Sequence, residues 1–518
     1  MENHIIFLSY LIIFLFSNIG YGFLFTSMFY KDFKELNFGE LGILGFFLIV
    51  LISISTSYFF AHNYIHNTIL HFIGLISFIV YFFKSLKENK KQLKNLLLVF
   101  LVLLSGIYVF KNHDDFPYYH LTYALNLANN SFFIGTGALG HGFRTVSSLF
   151  YYHSTLYMPY IKFYLFHSGP FLILIYFNYI ILSNLIKKFN SKKIDIVYYF
   201  SLLSFIFINV AFYRISEHGT DRTGQILIIL SFIYFLEIFF IQKIYFEKEK
   251  FFCFLLVLIF LAASTKVLYI IYLILIPLVF LKSNFFKQFK IKKNIKLIVV
   301  LIFSFSLNLS VSFFSTGCLV YPEEKTCFSE NVKWSVKKEE VRNMKIHYEW
   351  WAKAGGGPGY ASEIKKEKYI KNFIWFENWI DRHFFNKVLD TLLGIIFISI
   401  LTILLFFSKK RKKNIRNNFW LIYLIIGSIF LEWFLGHPSM RYGGYVLFAL
   451  IIFLFTSRII ECFNVSLKKI YYSSICLIFL TLIIFNARNF SRLNLEIKQY
   501  GYNIIDSPFF FVKDVNYK

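Results

Sequence analysis

Leu96-Leu97-Leu98-Val99-Phe100-Leu101-Val102-Leu103-Leu104-Ser105-Gly106-Ile107-Tyr108-Val109-Phe110 runs without a charge into Lys111-Asn112-His113-Asp114-Asp115-Phe116-Pro117-Tyr118-Tyr119-His120. The apolar half reads as a membrane span, and the polar half sets two adjacent carboxylates where that span meets water. Acidic groups beside a bilayer are costly to desolvate, so a function or a partner is expected for them. An enzyme acting on a lipid headgroup needs its base at this depth.

The whole chain supports that setting. With 57% hydrophobic and 16% charged residues, 518 residues have too little polar surface to cover a soluble globule. Apolar runs long enough to cross about 30 Å of hydrocarbon recur along the chain. The sequence predicts an all-α polytopic membrane protein with about fourteen spans, near 5–27, 41–61, 67–83, 95–110, 169–186, 195–213, 224–242, 251–264, 266–281, 296–314, 388–408, 419–435, 441–457 and 469–487. No internal repeat and no soluble domain is visible, and Met1 to His4 carries no basic region of a cleavable signal.

The net charge of +25 would suggest nucleic acid in a soluble protein. Here the lysines lie in short loops between spans, at 84–91, 187–193, 282–296 and 409–413, which marks those loops as cytoplasmic and makes nucleic acid an unsuitable partner. The remaining divisions follow: N-terminal spans 1–110, a first large outer loop 111–168, central spans 169–314 with an acidic outer turn 214–223, a second large outer loop 315–387, C-terminal spans 388–487 and an outer tail 488–518. All thirteen histidines then fall on or near the outer side. Short lysine-filled inner loops would produce the same asymmetry, so it supports the orientation more than it supports catalysis.

Both long loops exceed ordinary connections. In the first, Leu121, Ala124, Leu125 and Ala128 form the apolar stripe of an amphipathic helix, with Pro117 suited to its first turn, and this helix is expected to lie flat on the outer leaflet. In the second, Tyr348, Trp350, Trp351, Trp375, Phe376 and Trp379 favour the headgroup layer. Gly355-Gly356-Gly357-Pro358-Gly359 lacks the context of a phosphate loop and reads as a lid or a linker. Cys318 and Cys327 are spaced for a small disulfide loop, while Cys253, Cys462 and Cys476 read as packing residues.

Three constellations could carry chemistry. Asp114 and Asp115 repel each other, which favours a raised carboxyl able to act as a base, although one of them could equally cap the following helix. The turn Arg214 to Arg222 holds Glu217, His218 and Asp221 between two arginines; it could grip phosphate, or it could be a network of exposed ion pairs. Glu432 lies in a span ahead of His437 and Arg441, with Arg441 or Lys266 as its expected partner, and snorkelling is the alternative for both cations. Carboxylates and histidines on one side leave a divalent metal open as a cofactor, without a defined ligand spacing.

Asp114-Asp115 followed by Phe116 to Asn130, the acidic turn at Glu217 and Asp221, and the late His437 to Arg441 resemble the GT-C superfamily of polytopic glycosyltransferases. Three spans stand ahead of the one that runs into the acidic loop here, where that superfamily usually has that one alone. The resemblance implies a GT-C-like fold and transfer of a sugar from a polyprenyl-phosphate donor to a glycan, lipid or protein acceptor. It also implies a bacterial cytoplasmic membrane with the active site facing outward. Asp114, Asp115, Glu217 and Asp221 would be catalytic. His120, Arg144, Arg214, His218, Arg222, His437 and Arg441 would bind substrate or phosphate. An O-antigen-type polymerase or ligase would lean on Arg and His instead of an acidic pair. A transporter or flippase would carry charges at mid-bilayer and related halves.

Overall fold

The computed structural model describes residues 2–29, 36–109, 115–215, 219–240, 245–283, 291–329, 331–354, 364–412 and 419–508. Asp114, Glu217, His218 and the glycine run 355–359 lie outside them. The described residues are helical nearly throughout, and their extended pairings are isolated bridges such as Cys318 with Cys327.

Among the described residues, nine helices are long and apolar enough to cross a membrane, from Glu2–Phe29 to Leu467–Tyr500, and the chain is an integral membrane protein. Three shorter apolar helices, Ile196–Ala211, Val267–Leu281 and Trp420–Gly436, coincide with further expected spans. The two remaining expected spans lie in helices with other features. Residues 95–108 fall in Leu86–Leu103 and the short helix Ser105–Tyr108, and the first of these opens on a lysine-rich half, Lys87 to Lys94. Residues 251–264 sit inside helix Tyr245–Thr265. Among the described residues the fourteen apolar runs are helical, and nine of the helices meet the length and apolarity of a full span.

Helix Glu2–Phe29 packs along both Phe38–Ser57 and Tyr64–Lys84. That approach depends on small residues: a methyl group on Gly45 would meet the Asn18 carbonyl, and one on Gly22 the Leu41 carbonyl. Backbone-to-backbone contact of this kind drives helix association where lipid supplies no hydrophobic gain.

Polar contacts divide between the two ends of the bundle. At one end lie the lysine-rich connections, where Lys188 pairs with Asp195 and Glu237 at 3.0 and 2.9 Å, and Lys412 N donates to Cys462 O at 3.0 Å. At the other end the expected outer segments meet. His62 N donates to Leu127 O, Gly135 N to Phe314 O, Arg144 pairs with Glu340 at 2.7 Å, and His4 Nε2 lies 2.6 Å from Ile504 O. Cys318 and Cys327 are disulfide-bonded, and with Val336 and Val341 they form a small apolar cluster separate from the main core.

The first large loop is more embedded than a helix lying on a leaflet. A π-helical turn, Phe116–His120, with Pro117 in its first turn, leads into helix Leu121–Asn129. Ala124 and Ala128 of the expected stripe are buried, but so are Tyr123 and Leu127, while Leu121 and Leu125 are only partly covered. The helix packs on Ser148–Ser154, with Tyr123 Oη 3.0 Å from Tyr151 Oη. Trp375 and Trp379 are likewise buried against Phe434 instead of lying at the surface.

Two histidines at this end make the fold acid-sensitive. His62 lies 2.6 Å from Ser154 Oγ, and His153 is buried with neither ring nitrogen hydrogen-bonded among the described residues. Burial lowers each to about 3, with the charges of His66 on His62 and of His120 and His167 on His153 adding to it. The unfolded chain takes up protons near the ordinary value of about 6.5, so the unfolded state binds more protons as pH falls and stability declines from there towards pH 3. The thermal midpoint in detergent is expected to drop between pH 7.5 and pH 5; an unchanged midpoint would refute this.

Candidate functional site

Four distant segments deliver four charges to one point at the loop-bearing end. Arg441, in the 3₁₀ turn Met440–Tyr442, donates from Nη2 to Asp115 Oδ2 and from Nε to Asp221 Oδ2, each at 2.9 Å. Lys266 donates to Asp221 Oδ1 and lies 4.4 Å from the centroid of the Tyr442 ring. Asp221 stands in the first turn of helix Gly219–Phe240. Its side chain is 9% exposed, against 27% for Asp115 and 34% for Arg441. Asp221 thus holds both cations from inside, and Asp115 meets Arg441 from the open side. The field of Asp221, with that of Asp115 behind it, raises the Arg441 pKa well above its ordinary value.

All but the Asp221 segment depart from α geometry next to the charged residue. Asp115 precedes the π turn Phe116–His120; Lys266 precedes the eight-residue 3₁₀ helix Val267–Ile274; and a nine-residue π helix, Ile380–Val388, reaches the 3₁₀ turn of Arg441 through His383. Long 3₁₀ and π stretches are poorly favoured and concentrate at functional sites.

The Arg441 turn is held on three sides. Trp379 Nε1 donates to Pro438 O at 2.6 Å, Trp433 Nε1 donates to Ser439 O at 3.1 Å, and Met440 N donates to His383 Nε2 at 3.1 Å. All three side chains are buried. Gly443 ends the turn at φ +98°, a backbone region open to glycine. Arg441 is thereby pre-set, and its guanidinium orients without induced order.

Aromatic groups cover the cluster. Burial and then the charges of Asp115 and Asp221 raise the Tyr119 hydroxyl pKa, and burial does the same for Tyr442. From the second loop, helix Lys338–Lys353 brings Tyr348 Oη to 3.1 Å from His141 Nδ1. Burial, then the Arg144 charge, lower the His141 pKa, so this bridge between the loops holds a neutral imidazole at pH 7.

A family model described as a domain of unknown function, DUF8201, matches residues 4–448, a span that includes Asp115, Asp221, Lys266 and Arg441. The chain belongs to that family. No curated protein and no solved structure matches it.

In this DUF8201 chain the expected site residues separate into groups. Asp115, Asp221 and Arg441 come together. Arg144 is instead engaged in joining the two loops, through Glu340 and the Gly137 carbonyl at 2.9 Å. His120 packs edge-on to Tyr119 and against Phe150. Arg214 is partly buried in the connection ahead of the Asp221 helix. Arg222 sits 4.3 Å from the ring centroids of both Phe212 and Tyr445. The expected pairing of Glu432 with Arg441 or Lys266 does not occur, because Asp221 takes both cations; Glu432 faces His437 at 3.9 Å. Lys266, expected as a partner for Glu432, joins Asp221 instead, and the clamp of Trp379, Trp433 and His383 is an addition that only the fold brings out. Among the described residues, no three His, Cys, Asp or Glu side chains converge as a metal site.

Proposed function

We propose that this DUF8201 chain is an integral membrane glycosyltransferase that moves a sugar from a polyprenyl-phosphate donor to a cell-envelope acceptor. The observation that carries the reading is the Asp115–Arg441–Asp221–Lys266 cluster, held beneath the aromatic loops at one end of a helical bundle. Asp115 is the more exposed carboxylate and accepts the proton of the acceptor hydroxyl. The hydroxyl oxygen bonds to the anomeric carbon as the bond from that carbon to the phosphate oxygen breaks. The electron pair leaves with the polyprenyl phosphate, and the proton stays on Asp115. Arg441 and Lys266, anchored by Asp221, stand ready for the charge that develops on the departing phosphate.

Membranes carrying the chain, incubated with labelled polyprenyl-phosphate sugars, are expected to transfer label. Membranes carrying the Asp114→Asn/Asp115→Asn double variant are expected to transfer none. Equal transfer by both would overturn the assignment of the base, and no transfer by the parent across hexose and pentose donors would overturn the reaction.

A further inference from the structure

Arg222 differs from every other arginine of the site in how it is held. Its guanidinium carbon is 4.3 Å from the centroids of Phe212 and of Tyr445, whose rings meet at 88°, so the group rests in the corner of two perpendicular aromatic walls. It makes no hydrogen bond or ion pair with the described residues, and its Nη1 is shut off from solvent by the protein without an acceptor. A buried donor left unmatched costs free energy, so a group in this condition calls for an explanation. The stacking supplies one half of it. Ring contacts fix the guanidinium while leaving its planar fork of donors unused, and that fork matches two oxygens of a phosphate.

The surrounding charge completes the argument. The neighbouring cluster sets two carboxylates, Asp115 and Asp221, against two cations, Lys266 and Arg441, so its charges compensate one another. Arg222 follows Asp221 directly in the chain and has no such compensation from the described residues. The segment around Phe212 also seats further arginines: Arg488 lies 3.7 Å over the Tyr213 ring and donates to the Val210 carbonyl, and Arg492 lies 5.7 Å from the same ring.

We infer that Arg222, in the Phe212–Tyr445 corner, is the receptor for a phosphate group, separate from the self-neutralised cluster beside it. The phosphate could arrive on a lipid headgroup or as free phosphate, and the recognition chemistry is the same. The receptor does not depend on sugar transfer, so its test is a binding measurement on the full chain in neutral detergent.

Two probes separate the sources: dodecyl phosphate and inorganic phosphate. Dodecyl phosphate is expected to bind the parent, with affinity falling about thirtyfold in Arg222→Gln, the scale of losing charge-assisted hydrogen bonds. Arg222→Lys keeps the charge but not the fork, and is expected to lose about tenfold. Equal binding of dodecyl phosphate by parent and Arg222→Gln would overturn the proposal. Binding and loss with dodecyl phosphate alone assign the receptor to a lipid phosphate; matching losses with both probes assign it to phosphate itself. Thermal unfolding of each variant guards against misfolding.

Discussion

Asp221→Asn is expected to destabilise the chain by about 3 kcal/mol, the low end of what removing one member of a buried ion network costs. The reasoning is one of charge count. Asp221 has 9% side-chain exposure and satisfies both Lys266 and Arg441. An asparagine keeps the shape but removes the charge, leaving two cations close together with Asp115 alone to offset them. Lys266 and Arg441 are 25% and 34% exposed, so water recovers part of the loss, which is why the lower figure applies. The measurement is the thermal unfolding midpoint in detergent, with Asp221→Asn/Lys266→Met as its control. That double variant restores the balance between Asp115 and Arg441, and most of the lost stability should return. A single variant as stable as the parent would show that the network contributes nothing to the fold.

The parts of this arrangement differ in how far the sequence discloses them. Apolar run length and lysine clusters are local properties, so the helical membrane character and the grouping of polar segments at one end are legible residue by residue. The disulfide is legible for the same reason, since Cys318 and Cys327 are nine positions apart. The site is not local. Arg441 lies 326 positions from Asp115 and 220 from Asp221, and no periodicity carries a pairing over such separations. Arg441 and Lys266 were legible as cations needing a partner near a rim, but Glu432 is the nearer acid to Arg441 in the chain and so the one that sequence proximity favours. The fold reverses that choice because helix Gly219–Phe240 starts where the Arg441 turn is held. Nor does the sequence disclose the π helix Ile380–Val388. Its residues have ordinary helix preferences, and only packing against Trp379 and the Arg441 turn accounts for His383 meeting Met440 N. Arg144 shows the opposite failure: a basic residue in a polar outer loop fits phosphate binding by type, and its ion pair with Glu340 across the two loops becomes visible only in three dimensions.

Asp115→Asn is expected to act on rate where Asp221→Asn acts on stability, and the contrast follows from geometry. Asp115 touches Arg441 through a single contact at 2.9 Å from the open side of the cluster, while Arg441 keeps its second carboxylate partner, Asp221. An asparagine at 115 still offers a carbonyl oxygen to Arg441 Nη2, so the turn held by Trp379, Trp433 and His383 has no reason to move. What the substitution removes is the capacity to take a proton. A positioned general base is worth about a hundredfold to ten-thousandfold in rate, and kcat for label transfer is expected to fall by about a thousandfold with KM and the thermal midpoint close to those of the parent. Asp114→Asn alone should leave most of the activity, because Asp115 holds a hydrogen bond to the site's arginine. The reverse ranking, Asp114→Asn inactive and Asp115→Asn active, would move the base to the neighbouring residue. A rise in KM with a fall in kcat, matched by a lower midpoint, would make Asp115 a structural partner of Arg441 and remove it from the chemistry.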